Sequence, residues 1–148
     1  MEYRFITNSA QETIALGEKI GRLLKGGDII AYSGGLGAGK TTITRGISIG
    51  MGLGDDVTSP TFALVNEYRG KKLSLIHFDM YRINSADDLE TTGFFDYMDE
   101  SSVLAVEWSE NIEDELPENA IRIDIQRIDD DTRTITLNGD ERFENIRN

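Results

Sequence analysis

The sequence predicts an α/β fold, a three-layer sandwich whose central strands run parallel and whose flanking strands run antiparallel. Three observations predict it. Strand-type and helix-type patterns alternate through the first two thirds of the chain. A glycine-rich stretch, residues 34–41, joins a short apolar run to a helical one, as a parallel strand passes into its crossover helix. The last third holds two strands of alternating polarity, residues 121–125 and 134–137, joined through Asp129-Asp130-Asp131 as a hairpin with a solvated tip.

In chain order, residues 3–6 form a first strand. A helix follows over 9–25, opened by a capping box of Ser9 and Glu12. Its Ile14, Ile20, Leu23 and Leu24 recur near the helical period with Gly17 between them, and Gly26-Gly27 ends it. Residues 28–33 are a strand, and residues 41–49 a helix that stops at Gly50-Met51-Gly52. Beyond the turn Thr58-Ser59-Pro60-Thr61, residues 62–68 and 73–78 make two strands that reverse at Gly70-Lys71-Lys72. Residues 85–98 are helix or helical loop with Ser85 and Asp88 as a second capping box, and residues 103–106 a buried strand. No repeat or linker interrupts the pattern, so residues 1–148 are expected to be one domain, long enough to bury roughly 68–70% of its unfolded surface.

Composition narrows the chemistry. The chain has no cysteine, which excludes disulfides, thiolate catalysis and cysteine-ligated zinc, and its single histidine, His77, cannot build a multi-histidine metal site. Magnesium on oxygen ligands is the metal to expect. A net charge of −12 repels the phosphate backbone and argues against direct nucleic-acid binding. No apolar run approaches a membrane span and the first residues lack a secretory pattern, so a cytoplasmic location is expected.

The stretch Gly34-Gly35-Leu36-Gly37-Ala38-Gly39-Lys40-Thr41 is a complete G-x-x-x-x-G-K-[ST] P-loop, which makes the predicted sandwich P-loop NTPase-like. Backbone N–H groups must converge on phosphate oxygens without Cβ atoms in the way, and four glycines in six positions supply the turns that do so. Lys40 brings a mobile charge to the β- and γ-phosphates, and the Thr41 hydroxyl is placed for the magnesium ion that bridges them. Asp79 and Glu107 each follow an apolar run, so each projects from a strand's carboxyl end, where such sheets bind ligands. Either carboxylate could complete the magnesium shell or hold an attacking water. Thr61 sits in a turn before a strand, the position of a switch that senses the γ-phosphate. Trp108 reads as a core or interface residue and His77 as a packed strand residue.

Taken in order, Gly37-Ala38-Gly39-Lys40-Thr41-Thr42, Ser59-Pro60-Thr61-Phe62 with Leu64-Val65 and Glu67-Tyr68, His77-Phe78-Asp79 with Tyr81-Arg82, Asp88-Leu89-Glu90 with Gly93, Glu107-Trp108, and Leu116-Pro117 resemble the TsaE (YjeE) family over roughly residues 9–137. The resemblance implies a small ATPase of the bacterial machinery that makes threonylcarbamoyladenosine in tRNAs, using ATP and Mg2+. Its hydrolysis, slow without partners, would reset a complex of TsaD and TsaB between rounds, with tRNA touched only through that complex and no membrane involved. By the same resemblance Lys40 and Thr41 bind phosphate and magnesium within a nucleotide-binding run of Gly35, Leu36, Gly37, Ala38, Gly39, Lys40, Thr41 and Thr42. Asp79 is then a Walker-B-like acid, Glu107 joins the magnesium site, and Thr61 belongs to a nucleotide-sensing switch. Thr13 and Arg133 fall near the nucleotide base. At Gly35 the family usually has Asp, so no side-chain role carries over there.

Two other readings compete. A small-molecule P-loop kinase needs cations over the transferred phosphoryl group, yet between Arg45 and Arg122 the arginines are Arg69 and Arg82 alone. A nucleotide-sensing GTPase or regulator would read guanine with an Asn-Lys-x-Asp segment, which the chain lacks, so adenine is favoured.

Overall fold

The computed structural model describes residues 1–35, 37–58 and 65–146. Seven strands, β1 (Glu2–Thr7), β2 (Ile29–Ser33), β3 (Val65–Tyr68), β4 (Ser74–Asp79), β5 (Ser102–Glu107), β6 (Ile121–Arg127) and β7 (Arg133–Asn138), form one mixed sheet in the order β1-β7-β6-β2-β5-β4-β3. Strand β2 is parallel to β5 and β6, and β4 is parallel to β5. The outer pairs β1–β7, β6–β7 and β3–β4 are antiparallel. The mixed sheet with a parallel centre is the architecture the sequence predicts.

Alternation along each strand divides the core into two layers. Leu75 of β4, Val103 and Ala105 of β5, Ile30 and Tyr32 of β2, and Ile121, Ile123 and Ile125 of β6 pack beneath two helices, α1 (Ala10–Gly21) and α2 (Lys40–Gly50). Ile76 and Phe78, Leu104 and Val106 point to the other side, where they meet Leu89 of the short helix α3 (Ala86–Thr91), Phe94 of a 3-10 turn (Phe94–Tyr97) and Ile112 of another (Ser109–Glu115). Central strands buried on both faces need unbroken apolar runs, which is why β4 and β5 read as continuous rather than alternating. In β6 only Ile121, Ile123 and Ile125 are buried, because the other face of this half of the sheet is not covered.

Helices α1 and α2 touch backbone to backbone. A Cβ built on Gly17 would lie 2.5 Å from Ile43 O, one on Gly21 2.3 Å from Ile47 O, one on Gly46 2.2 Å from Ile14 O, and one on Gly50 2.2 Å from Glu18 O. Two glycines four residues apart on each helix thus face two on the other. Helices bearing larger side chains keep about 8–10 Å between axes, and only glycine permits this closer contact.

Three details depart from the sequence reading. Helix α1 ends at Gly21, not at residue 25, with Arg22 as its C-cap, and the chain turns so that Leu24 still enters the core. Ser9 and Ser85 cap their helices by accepting the Glu12 and Asp88 N–H, both at 3.1 Å, but the acids return to the N–H of Asn8 and Asn84, one residue before the cap. The region 85–98 is two short pieces, since Gly93 at φ 79° breaks α3 from the following 3-10 turn. Residues 62–64 of the expected third strand lie outside the described residues.

Candidate functional site

Strand β2 lies at the middle of the sheet, and the loop that leaves its carboxyl end leads into the amino end of α2. Three loop glycines have positive φ: Gly34 at 127°, Gly37 at 73° and Gly39 at 115°. Gly34 is doubly constrained, because a Cβ there would fall 2.2 Å from Ile125 O of β6. Gly35 is different. It has no positive φ and open space where a Cβ would be, so the backbone does not require the fourth glycine. Gly35→Asp is therefore expected to change the unfolding free energy by no more than about 0.5 kcal/mol, measured by denaturant titration. A larger loss would mean that the loop conformation depends on glycine there.

The first helical hydrogen bond of α2 runs from Ile43 N–H to Gly39 O at 2.9 Å. The N–H groups before it, at the positive end of the helix dipole, have no partner within the helix. Ala38 anchors the loop by burying its methyl group in the core below. Lys40 is buried, and its Nζ donates to Gly34 O at 3.2 Å while lying 5.4 Å from the Trp108 ring centroid.

Parity explains how the distant acids arrive. Asp79 lies two and four residues beyond His77 and Leu75, and Glu107 two and four beyond Ala105 and Val103, so both carboxylates fall on the α1–α2 side of the sheet at strand carboxyl ends. They are register partners across β4 and β5. A cleft of about 660 Å3 opens between them and α2, lined by Gly37, Gly39, Lys40, Thr41, Thr42, Asp79, Glu107 and Arg133 from the predicted set, with Tyr81 and Trp108 as its aromatic wall. Asp79 Oδ1 accepts the Tyr81 N–H at 2.9 Å, which fixes the carboxylate. Tyr81 and Trp108 pack edge to face at 4.9 Å.

Thr13 does not line this cleft. It borders a smaller hollow of about 120 Å3 that shares Gly39, Thr42 and Arg133 with the first and adds Ser9, Asp130 and Asp131. Its hydroxyl is engaged with Thr7 Oγ1 at 2.7 Å. Arg133 braces the loop itself: its Nε donates to Ala38 O at 2.8 Å and its Nη1 to Asp129 O at 2.8 Å. The hairpin tip, expected to be merely solvated, is an ordered turn in which Asp129 Oδ1 accepts the N–H of Asp131 at 2.9 Å and of Thr132 at 2.8 Å. These bonds hold the Asp129 carboxyl below its ordinary pKa. Leu36 and Thr61 lie outside the described residues.

Two features escape sequence reasoning. Trp108 has φ 58°, the one positive φ on a non-glycine among the described residues, a conformation that costs about 1–3 kcal/mol and clusters at functional sites. The indole is partly buried against the α3 side of the core and also faces the Lys40 ammonium at 5.4 Å. Below the loop, the Tyr32 hydroxyl meets Thr44 Oγ1 at 2.7 Å, and Thr44 Oγ1 donates to Lys40 O at 2.7 Å, tying β2 to the first turn of α2. Burial pushes the Tyr32 phenol far above its ordinary pKa, so it remains a neutral donor. Thr44 and Tyr32 carried no sequence signal beyond their helical and strand positions.

Comparison with known proteins agrees with this geometry. Residues 7–135 match the family of the threonylcarbamoyl adenosine biosynthesis protein TsaE. The tRNA threonylcarbamoyladenosine biosynthesis protein TsaE of Treponema pallidum is 37% identical over 134 residues, covering 90% of this chain and 98% of that protein. The Bacillus subtilis protein of the same name is 38% identical over 136 residues, covering 92% and 85%. The crystal structure of Bacillus subtilis YdiB superposes with a TM-score of 0.74 at 34% identity, covering 97% of this chain and 90% of that one. No helix among the described residues is long and apolar enough to cross a membrane. With its loop at the centre of the sheet and the family's sequence along nearly its whole length, the chain belongs to the TsaE family, P-loop nucleotide-binding proteins of tRNA threonylcarbamoyladenosine biosynthesis.

Proposed function

We propose that this chain is a magnesium-dependent ATPase whose turnover resets a TsaD–TsaB complex between rounds of threonylcarbamoyladenosine formation. The observation that carries the ATPase reading is the convergence of Lys40, Thr41, Asp79 and Glu107 on one cleft at the amino end of α2. In this reading the loop N–H groups and Lys40 hold the phosphates, and Thr42 and Arg133 lie toward the nucleoside. The donor set of one hydroxyl and two carboxylates is all hard oxygen, which fits magnesium. Among the described residues no three His, Cys, Asp or Glu side chains gather closely enough to hold a metal by themselves, so Thr41, Asp79 and Glu107 would share the ion with phosphate oxygens and water, as magnesium sites usually do. Bound there, the ion would neutralise charge developing on the phosphates.

Asp79→Ala and Glu107→Ala are expected to lower magnesium-dependent hydrolysis at least tenfold while nucleotide affinity in EDTA stays within about twofold, because the loop contacts survive both changes. Titration of a fluorescent ADP analogue with and without magnesium checks this. Equal losses of affinity in both conditions would remove the metal role.

Among the described residues the cations lining the cleft are Lys40 and Arg133, and Arg133 is committed to Ala38 and Asp129 carbonyls. A kinase would need more positive charge over the transferred group, whereas a slow ATPase can take it from a docked partner. The resetting role is tested by counting threonylcarbamoyladenosine formed per enzyme from TsaD, TsaB, tRNA and threonylcarbamoyl-adenylate. Product is expected to stop near one turnover without this chain and to continue with it and ATP. Equal continuation in its absence would overturn the role.

A further inference from the structure

His77, the chain's one histidine, is fully buried in β4 among Leu75, Ile76 and Phe78. Its Nε2 lies 2.7 Å from Oε2 of Glu107. The ring N–H is not aligned with that oxygen, and His77 Nδ1, His77 Nε2 and Glu107 Oε2 are all enclosed without a formed hydrogen bond. The ring meets the edge of Tyr32 at 6.5 Å, whose hydroxyl is already engaged by Thr44. The register partner of His77 on β5 is Ala105, two residues before Glu107.

A histidine here is not explained by packing. An aliphatic residue would fill this core position without desolvating two ring nitrogens, and a buried carboxylate oxygen facing it would otherwise be left unpaired. A small rotation of either side chain aligns the N–H with Oε2 and satisfies both. We propose that His77 is a positioning residue: its Nε2–H holds Oε2 of Glu107 inside the protein, so that the carboxylate presents its other oxygen to the cleft. The neutral imidazole suffices for this. The inference rests on the ATPase reading for its effect on rate, though not for the contact itself.

The contact is read first on the protein alone. Because His77 is the sole histidine, its imidazole N–H resonances are unambiguous. A slowly exchanging, downfield Nε2–H proton is expected in the parent and is expected to be lost in Glu107→Ala. Its absence from the parent, or its persistence in Glu107→Ala, would overturn the contact. The effect is read next in His77→Phe, which keeps a ring but removes the donor, and in His77→Gln, which retains an N–H. His77→Phe is expected to bind ADP in EDTA as the parent does, to lose at least tenfold of the magnesium-dependent gain in affinity with KM for magnesium-ATP rising to match, and to lower kcat at least tenfold. His77→Gln should recover most of both, and in a Glu107→Gln background His77→Phe should cost nothing further. An undiminished kcat and magnesium gain in His77→Phe, or an equal loss in the Glu107→Gln background, would overturn the proposal. Should His77→Phe fail to fold, His77→Leu takes its place in the same comparisons. If the parent binds ATP but hydrolyses none, the ATPase reading fails by itself, and His77 is judged by the proton resonance and the magnesium-dependent affinity.

Discussion

Lys40→Ala is expected to lower ATP turnover by at least about 100-fold while the protein stays folded. In the structure the Lys40 ammonium spans the loop mouth, donating to Gly34 O at 3.2 Å and facing the Trp108 ring at 5.4 Å. Those two contacts are modest, together on the order of 1 kcal/mol, so the thermal midpoint should fall by only about 2–4 °C. In the proposed ATPase the same ammonium would make charge-assisted bonds to phosphate that strengthen as charge develops, and removing one such preorganised group costs about 100- to 1,000-fold in rate. Single-turnover hydrolysis and a thermal melt on the same sample separate the two quantities. Turnover at the parental rate would overturn the P-loop assignment, and a collapsed melt would mean that Lys40 supports the fold.

Gly46→Ala is expected to destabilise the protein by about 2 kcal/mol, a fall of about 4–8 °C in the thermal midpoint. Two effects compete. Alanine in a helix interior gains about 1 kcal/mol over glycine, but here the new Cβ would lie 2.2 Å from Ile14 O and 2.9 Å from the Gly17 Cα. Both neighbours are backbone and cannot swing aside, so α1 and α2 must separate by about 1 Å and forfeit part of the core between them. The clash outweighs the propensity gain. Gly35→Ala, with open space around its Cβ, is the control that should leave the midpoint unchanged. A stabilised Gly46→Ala would show that the helices separate at no cost.

Much of the fold was legible because parallel strands buried on both faces must be continuously apolar. Residues 73–78 and 103–106 read that way; the structure shifts the first by one residue to β4, Ser74–Asp79, and extends the second by one residue at each end to β5, Ser102–Glu107. The first helix was overrun at its end because Leu23 and Leu24 keep the helical apolar period although the backbone has already turned after Gly21. Period reports which side chains are buried, not which residues remain helical.

For the candidate site, the sequence by itself determined what is local. A loop that cradles phosphate needs its glycines, lysine and threonine on consecutive residues, so residues 34–41 announce it. Asp79 and Glu107 announce themselves as the first acids after apolar runs. Tertiary structure alone decided which of these meet and what supports them. Asp79 and Glu107 share a cleft because β4 and β5 are neighbours in register, an order that no stretch of sequence carries. Gly17 and Gly46, Arg133 and Ala38, and His77 and Glu107 are likewise brought together only by strand order and helix crossing. Trp108 meets Lys40 from a left-handed backbone that such a residue rarely adopts. Local chemistry is written in consecutive residues, whereas contacts between distant segments follow from how the whole core packs.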